Sequence, residues 1–240
     1  MNEMEKPKLS FFKRVGNIIV APKRTMDDLK ERPRILFPFV LISITYLLYL
    51  VIHFSLYNEY MLEAAKRSQQ VMYEYAGVTY TQEALEQLAK VQSITGLVTA
   101  PIGAVIGWII GAAILFGTVK IFRGEGRFKQ YLSVTGYAHV ILALYTLIKI
   151  IVTFFSGTLY LDTPLVSLGA LFGGGSRQGF LYAVACGIDL YSIWFYCVIA
   201  VGVATVSGLG KKKSYIIMAV LFVLTLLFSG ISASLAGSFM

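Results

Sequence analysis

Residues 97–122 read LVTAPIGAVIGWIIGAAILFGTVKIF, and this stretch decides the fold. It contains no acidic residue and one base, Lys120, close to its end. A helix of about 20 apolar residues spans the ~30 Å hydrocarbon core of a bilayer, so this run is long enough to cross. The rest of the chain agrees. Of 240 residues 57% are apolar and 14% charged, and the mean hydropathy is +0.70. Soluble domains average roughly 45–50% apolar and about 25% charged residues. The charge needed for a water-facing shell is missing, and so are the polar composition of a disordered chain and the cysteine density of a disulfide scaffold. The sequence is that of an integral membrane protein.

Four more runs of suitable length lie on either side, so the expected fold is all-α, with five transmembrane helices in one bundle at about 35–56, 97–122, 132–155, 179–207 and 215–236. The fourth run exceeds one perpendicular span and is expected to tilt or to project from the bilayer. Two regions are divided: residues 1–34 as a cytoplasmic or interfacial amphipathic segment, and 35–240 as the transmembrane domain, with an outer helical loop at 57–95.

Basic residues set the orientation. Nine precede the first span, four (Lys120, Arg123, Arg127, Lys129) lie between the second and third, and three (Lys211, Lys212, Lys213) precede the fifth. The expected amino terminus is therefore cytoplasmic and the carboxyl terminus outside. The net charge of +8 clusters beside apolar runs, which points to anionic membrane lipids and not to nucleic acid. Phe11, Phe12, Val15, Ile18 and Ile19 recur at helical spacing, with Lys13 and Arg14 assigned to the opposite face. Pro22 is expected to end that helix and Thr25 to cap a second one. In the outer loop, two short helices are expected, broken at Gly77–Thr79, with Thr79 and Gln82 forming a capping box.

Signatures of chemistry are missing. His53 and His139 do not form a metal set, and Cys186 and Cys197 lie in an apolar run with no ligand spacing. Gly174-Gly175-Ser176-Arg177-Gln178 lacks the last glycine of a nucleophile elbow, and Gly210-Lys211-Lys212 lacks the hydroxyl and spacing of a phosphate loop. No enzyme, cofactor or metal is expected. Within the spans, Lys149, Asp189 and His139 are the polar candidates, because intramembrane ionisable groups face protein or water. Lys149 and Asp189 fall at similar depth, and three readings stay open for them: snorkelling and local hydrogen bonds, a Lys149–Asp189 pair, or an ion path. Gly103, Gly107 and Gly111 form a stripe on one helix face, suited to packing within the bundle or against a partner helix.

Three groups of residues carry a family resemblance: Ala21-Pro22-Lys23-Arg24-Thr25-Met26 with Leu29 and Arg32-Pro33; Gly124-x-Gly126-x-Phe128 followed by Gly136-Tyr137-Ala138; and Asp189-Leu190-Tyr191-Ser192-Ile193-Trp194 with Gly202 and Gly208. In this order the chain resembles the prokaryotic branch of the Yip family, five-span proteins first known as interactors of Rab-type GTPases. The resemblance implies a bacterial or archaeal cell-membrane protein, some of whose relatives act beside ABC-type export complexes. The expected function is a non-enzymatic scaffold or accessory protein that binds another membrane protein, with a homo-oligomer compatible. The alternative is a small transporter or channel lined by Asp189, Lys149 and His139.

Overall fold

The computed structural model describes residues 9–161, 164–172 and 179–238. Among them the fold is helical, with one isolated antiparallel bridge, Ser167 to Asp189, and no strand. The helices are α1 (Phe11–Val20), α2 (Pro22–Glu31), α3 (Leu36–Ile52), α4 (Phe54–Ala76), α5 (Gln82–Ile121), α6 (Phe128–Ser156), α7 (Gly179–Gly187), α8 (Leu190–Val206) and α9 (Lys211–Ser238).

Among the described residues three helices are long and apolar enough to cross a membrane: α5, α6 and α9 over Lys211–Leu235. The number rises to four if α3 and α4, bent by 83° at His53, form one span. The expected first span thus stops at Ile52, where His53 leaves helical geometry at φ −107° and ψ 33°. The expected fourth span is divided into the nine-residue α7 and the 17-residue α8, separated at Ile188–Asp189. It does not run as one tilted helix. Pro101 lies inside the 40-residue α5 without ending it, although it removes one hydrogen bond of the helix ladder.

The chain forms two compact units. The first comprises Met1–Ile42, Ile106–Leu144 and Leu190–Thr225. Its core gathers Ile18, Met26 and Leu29 from α1 and α2, Leu115 and Val119 from α5, Tyr131, Val134, Tyr137 and Ile141 from α6, and Val198 and Val203 from α8. The amino-terminal helices are therefore core elements. The expectations for Thr25 and Arg14 are corrected here. Pro22 follows the end of α1, as expected, and it also begins α2, since the first helical position has no use for an amide hydrogen. Thr25 is not a cap: it is buried inside α2 and its hydroxyl donates to the Arg14 carbonyl at 2.8 Å. Arg14 is likewise not on a solvated face but only 3% exposed. Its Nε donates to Asp28 at 2.7 Å and its Nη2 to the Leu9 carbonyl at 2.6 Å. Burial opposes the Arg14 charge, yet the hydrogen bonds with Asp28 and Tyr137 outweigh it and hold the guanidinium above its ordinary pKa.

The second unit comprises Ser43–Val105, Tyr145–Asp189 and Leu226–Met240. α4 and the first turns of α5 pair as a hairpin: Ser93 donates to Asn58 at 3.1 Å, and Gly96 leaves room for the Tyr57 hydroxyl. The break falls near its expected place, after the left-handed Gly77, but the second helix is not short and continues directly into the apolar part of α5. The cap is Thr81 and not Thr79: its hydroxyl accepts the Ala84 amide at 3.2 Å. The glycine run at 173–178, with Arg177, and Lys6 and Lys8 lie outside the described residues.

Candidate functional site

In the first unit, α5 ends in two nested backbone hydrogen bonds. Gly124 N–H reaches the Val119 carbonyl at 2.9 Å and Arg123 N–H reaches Lys120 at 2.9 Å, with Arg123 at φ 60°. This is the Schellman arrangement, which satisfies carbonyls left over at a helix end. The chain then fastens to the α8–α9 loop, where Glu125 N–H donates to the Ser207 carbonyl at 2.8 Å. Gly126 has φ 91°, and a Cβ there would sit 2.6 Å from Val206 and 2.9 Å from Tyr131. The Tyr131 hydroxyl closes the loop by donating to the Glu125 carbonyl at 2.5 Å. Phe128 meets Phe116 edge-on at 5.8 Å.

About two turns into α6, Gly136 lets neighbouring helices approach. A Cβ there would clash with Pro38 of α3 and lie 2.8 Å from the Trp108 ring of α5. The Trp108 indole N–H is shared between the Leu132 carbonyl and the Thr135 hydroxyl, both at 3.1 Å. Tyr137 is buried and packs on Phe37 at 5.1 Å. Trp194 borders the same core. Gly124, Gly126, Gly136 and Gly202 thus have a direct structural use, since each leaves space that a neighbouring residue fills.

Of the three intramembrane candidates, each has its own surroundings. His139 donates from Nδ1 to the Thr135 carbonyl of its own helix at 2.9 Å, with Phe195 edge-on to the ring at 5.0 Å. Lys149, in the second unit, places its ammonium 4.6 Å from the centre of the Tyr49 ring and 5.7 Å from that of Tyr145. A cation over an aromatic face is attracted by the ring quadrupole. Among the described residues no ion pair joins Lys149 to Asp189.

The Lys149 cluster takes in His53 and three residues not singled out in the sequence, Tyr49, Thr153 and Tyr160. The Tyr49 hydroxyl shares a hydrogen bond with Thr153 at 3.1 Å and accepts the Tyr160 amide at 2.8 Å. His53 reaches the Ile150 carbonyl at 3.2 Å, which fixes the bend between α3 and α4. A signal existed in the spacing. Lys149 and Thr153 are an i,i+4 pair on one face of α6, and Tyr49 and His53 have the same spacing at the end of α3. No group of three or more His, Cys, Asp or Glu among the described residues is placed to hold a metal.

Asp189 is 7% exposed and stands immediately before the first residue of α8, the N-cap position. Aspartate is favoured there because its oxygens accept the unpaired amides of the first turn and its charge suits the positive end of the helix. Asp189→Asn should leave stability within about 0.5 kcal/mol, whereas Asp189→Leu should cost about 1–2 kcal/mol. Unfolding of the detergent-purified protein measures both, and equal stability of the two variants would exclude a capping role.

The glycine stripe faces outward. Gly103, Gly107 and Gly111 are exposed, and a Cβ on any of them would meet nothing within 4 Å. Packing within the chain uses other glycines: besides Gly136, Gly202 faces Val134 and Gly230 faces Phe180.

The Yip1 domain family model matches residues 16–233. The chain belongs to the Yip1 domain family. A Yip1 relative, Membrane protein YknW of Bacillus subtilis, is 27% identical over 224 residues, covering 92% of this chain and 91% of its own. Uncharacterized protein MJ0794 of Methanocaldococcus jannaschii is 38% identical over 52 residues, 22% of this chain and 37% of its own. No solved structure matches this Yip1 protein. Family membership and the apolar helices together make it an integral membrane protein.

Proposed function

We propose that this Yip1 protein is a non-enzymatic scaffold or accessory subunit that binds another membrane protein through the outward face of α5. The carrying observation is the open stripe of Gly103, Gly107 and Gly111, flanked by exposed Ile102, Ile106, Ile110 and Ile114. In lipid, helices associate through close van der Waals packing, which small residues permit. Only 22% of the most apolar window of α5 is buried within the chain, so its apolar surface is available to lipid and to other helices. The amino terminus is assigned to the cytoplasm and the carboxyl terminus to the outside, on the loop charges. A second copy of the chain is an alternative occupant of the same face.

The competing transporter reading requires Asp189, Lys149 and His139 to exchange protons or ions. Their positions suit structural roles better: a helix start, an aromatic contact and a hydrogen bond along one helix. Reconstitution of the purified protein alone in liposomes separates the two. No proton or cation flux above that of empty liposomes is expected. Robust flux lost in Asp189→Asn would replace the scaffold with a transporter.

A further inference from the structure

At the amino-terminal end of α3, the first unit contains a cleft of about 390 Å³ between α1, the start of α3 and the start of α6. Its aromatic wall is continuous. Phe11 meets Phe37 edge-on at 4.9 Å, and Phe37 meets Tyr137 at 5.1 Å. Arg14 lines the cleft but is committed to Asp28 and to the Leu9 carbonyl. Two further cations also line it, Arg34 and Lys129, both exposed. Neither takes part in the ion pairs of the described residues, and no carboxylate lines the cleft.

The backbone at Arg34 is anchored to α6. Arg34 N–H donates to the Ser133 hydroxyl at 2.9 Å, and that hydroxyl donates to the Arg34 carbonyl at 2.8 Å. This double link fixes the start of α3 against the first turns of α6, which carries Lys129. On its apolar side the cleft runs onto Leu36, 74% exposed, and the lipid-facing part of α3 begins there.

We propose that this cleft is a binding site for the headgroup of an anionic glycerophospholipid. Arg34 and Lys129 would take the phosphodiester and any second anionic group. The glycerol and upper acyl carbons would lie on Phe37, Tyr137 and Leu36. Charge complementarity selects the anion, and the apolar wall selects a lipid over free phosphate. The proposal does not depend on the scaffold reading, because it uses a different surface.

The test is native mass spectrometry of the full-length protein in detergent, titrated with phosphatidylglycerol or phosphatidylcholine, with and without millimolar inorganic phosphate. Each cation near an anionic lipid contributes about fivefold in affinity, so Arg34→Ala with Lys129→Ala should weaken phosphatidylglycerol binding about 25-fold. Phosphatidylcholine should bind more weakly from the outset, and phosphate should not displace the lipid. The control is Lys211→Ala with Lys212→Ala, which removes the same charge from another exposed basic cluster and should change binding by less than about twofold. Equal loss in the two double variants would reduce the effect to general surface charge and overturn the proposal. Equal binding of the two lipids, or displacement by phosphate, would overturn it as well.

Discussion

Asp28→Ala should destabilise the protein by about 3–5 kcal/mol, the usual result of leaving a buried charge without its partner. Both side chains of the Arg14–Asp28 pair are at most 10% exposed, at a separation of 2.7 Å. Removal of Asp28 leaves the Arg14 cation between α1, α2 and Tyr137, beside the fully buried Ile18, Met26 and Leu29. α2 packs on α8, so the loss should reach the core and not only the amino terminus. Exchange of both partners, Arg14→Met with Asp28→Leu, should recover most of the stability, because an apolar pair leaves no charge unsatisfied. Thermal unfolding in detergent reads both. A double variant no better than Asp28→Ala would mean that the pair contributes more than the cancellation of its own charges.

Gly126→Ala should cost about 2–5 kcal/mol, combining a backbone conformation that only glycine takes freely with overpacking. At φ 91° the added methyl group would enter the space of Val206 and Tyr131. The Val206 and Tyr131 side chains would have to shift to make room, beside the Glu125–Ser207 backbone bond and the Tyr131 hydrogen bond. Gly103→Ala offers the contrast, since that Cβ meets nothing within 4 Å and alanine is the better helix former. Unfolding temperatures of the two variants should move in opposite directions. A neutral Gly126→Ala would show that the loop between α5 and α6 is free to rearrange.

Membrane character and helical class were legible in the apolar runs, because a bilayer tolerates little else over that length. The breaks were harder to see, as each depends on a single residue inside an apolar stretch. Between α7 and α8 the break falls at Ile188–Asp189, where an acid precedes the first residue of α8, but average hydropathy conceals a single such residue. At His53 the bend depends on a contact with the Ile150 carbonyl, 97 positions away in sequence. Local pattern holds no trace of it.

Arg14 was read as solvated because charge normally marks the outer face of a helix. Its partner lies 14 residues on, in the next helix, so nothing in the periodicity of α1 reports it. Lys149 illustrates the same limit from the other side. Depth along the spans left three readings open, a pair with Asp189 among them, whereas the surroundings of the ammonium are the rings of Tyr49 and Tyr145. The glycine stripe was visible as a pattern, but which glycines pack inside the chain became clear only from the neighbours of each.

Recovery of a membrane-protein partner from native membranes, compared between the natural chain and Gly107→Leu, tests the scaffold most directly. A side chain at position 107 has open space around it, so the substitution should leave folding and thermal stability unchanged and act only on whatever covers this face. The expected result is one partner at stoichiometric level with the natural chain, lost with Gly107→Leu at equal expression. The same partner recovered in equal amount with both chains would contradict binding through the α5 face.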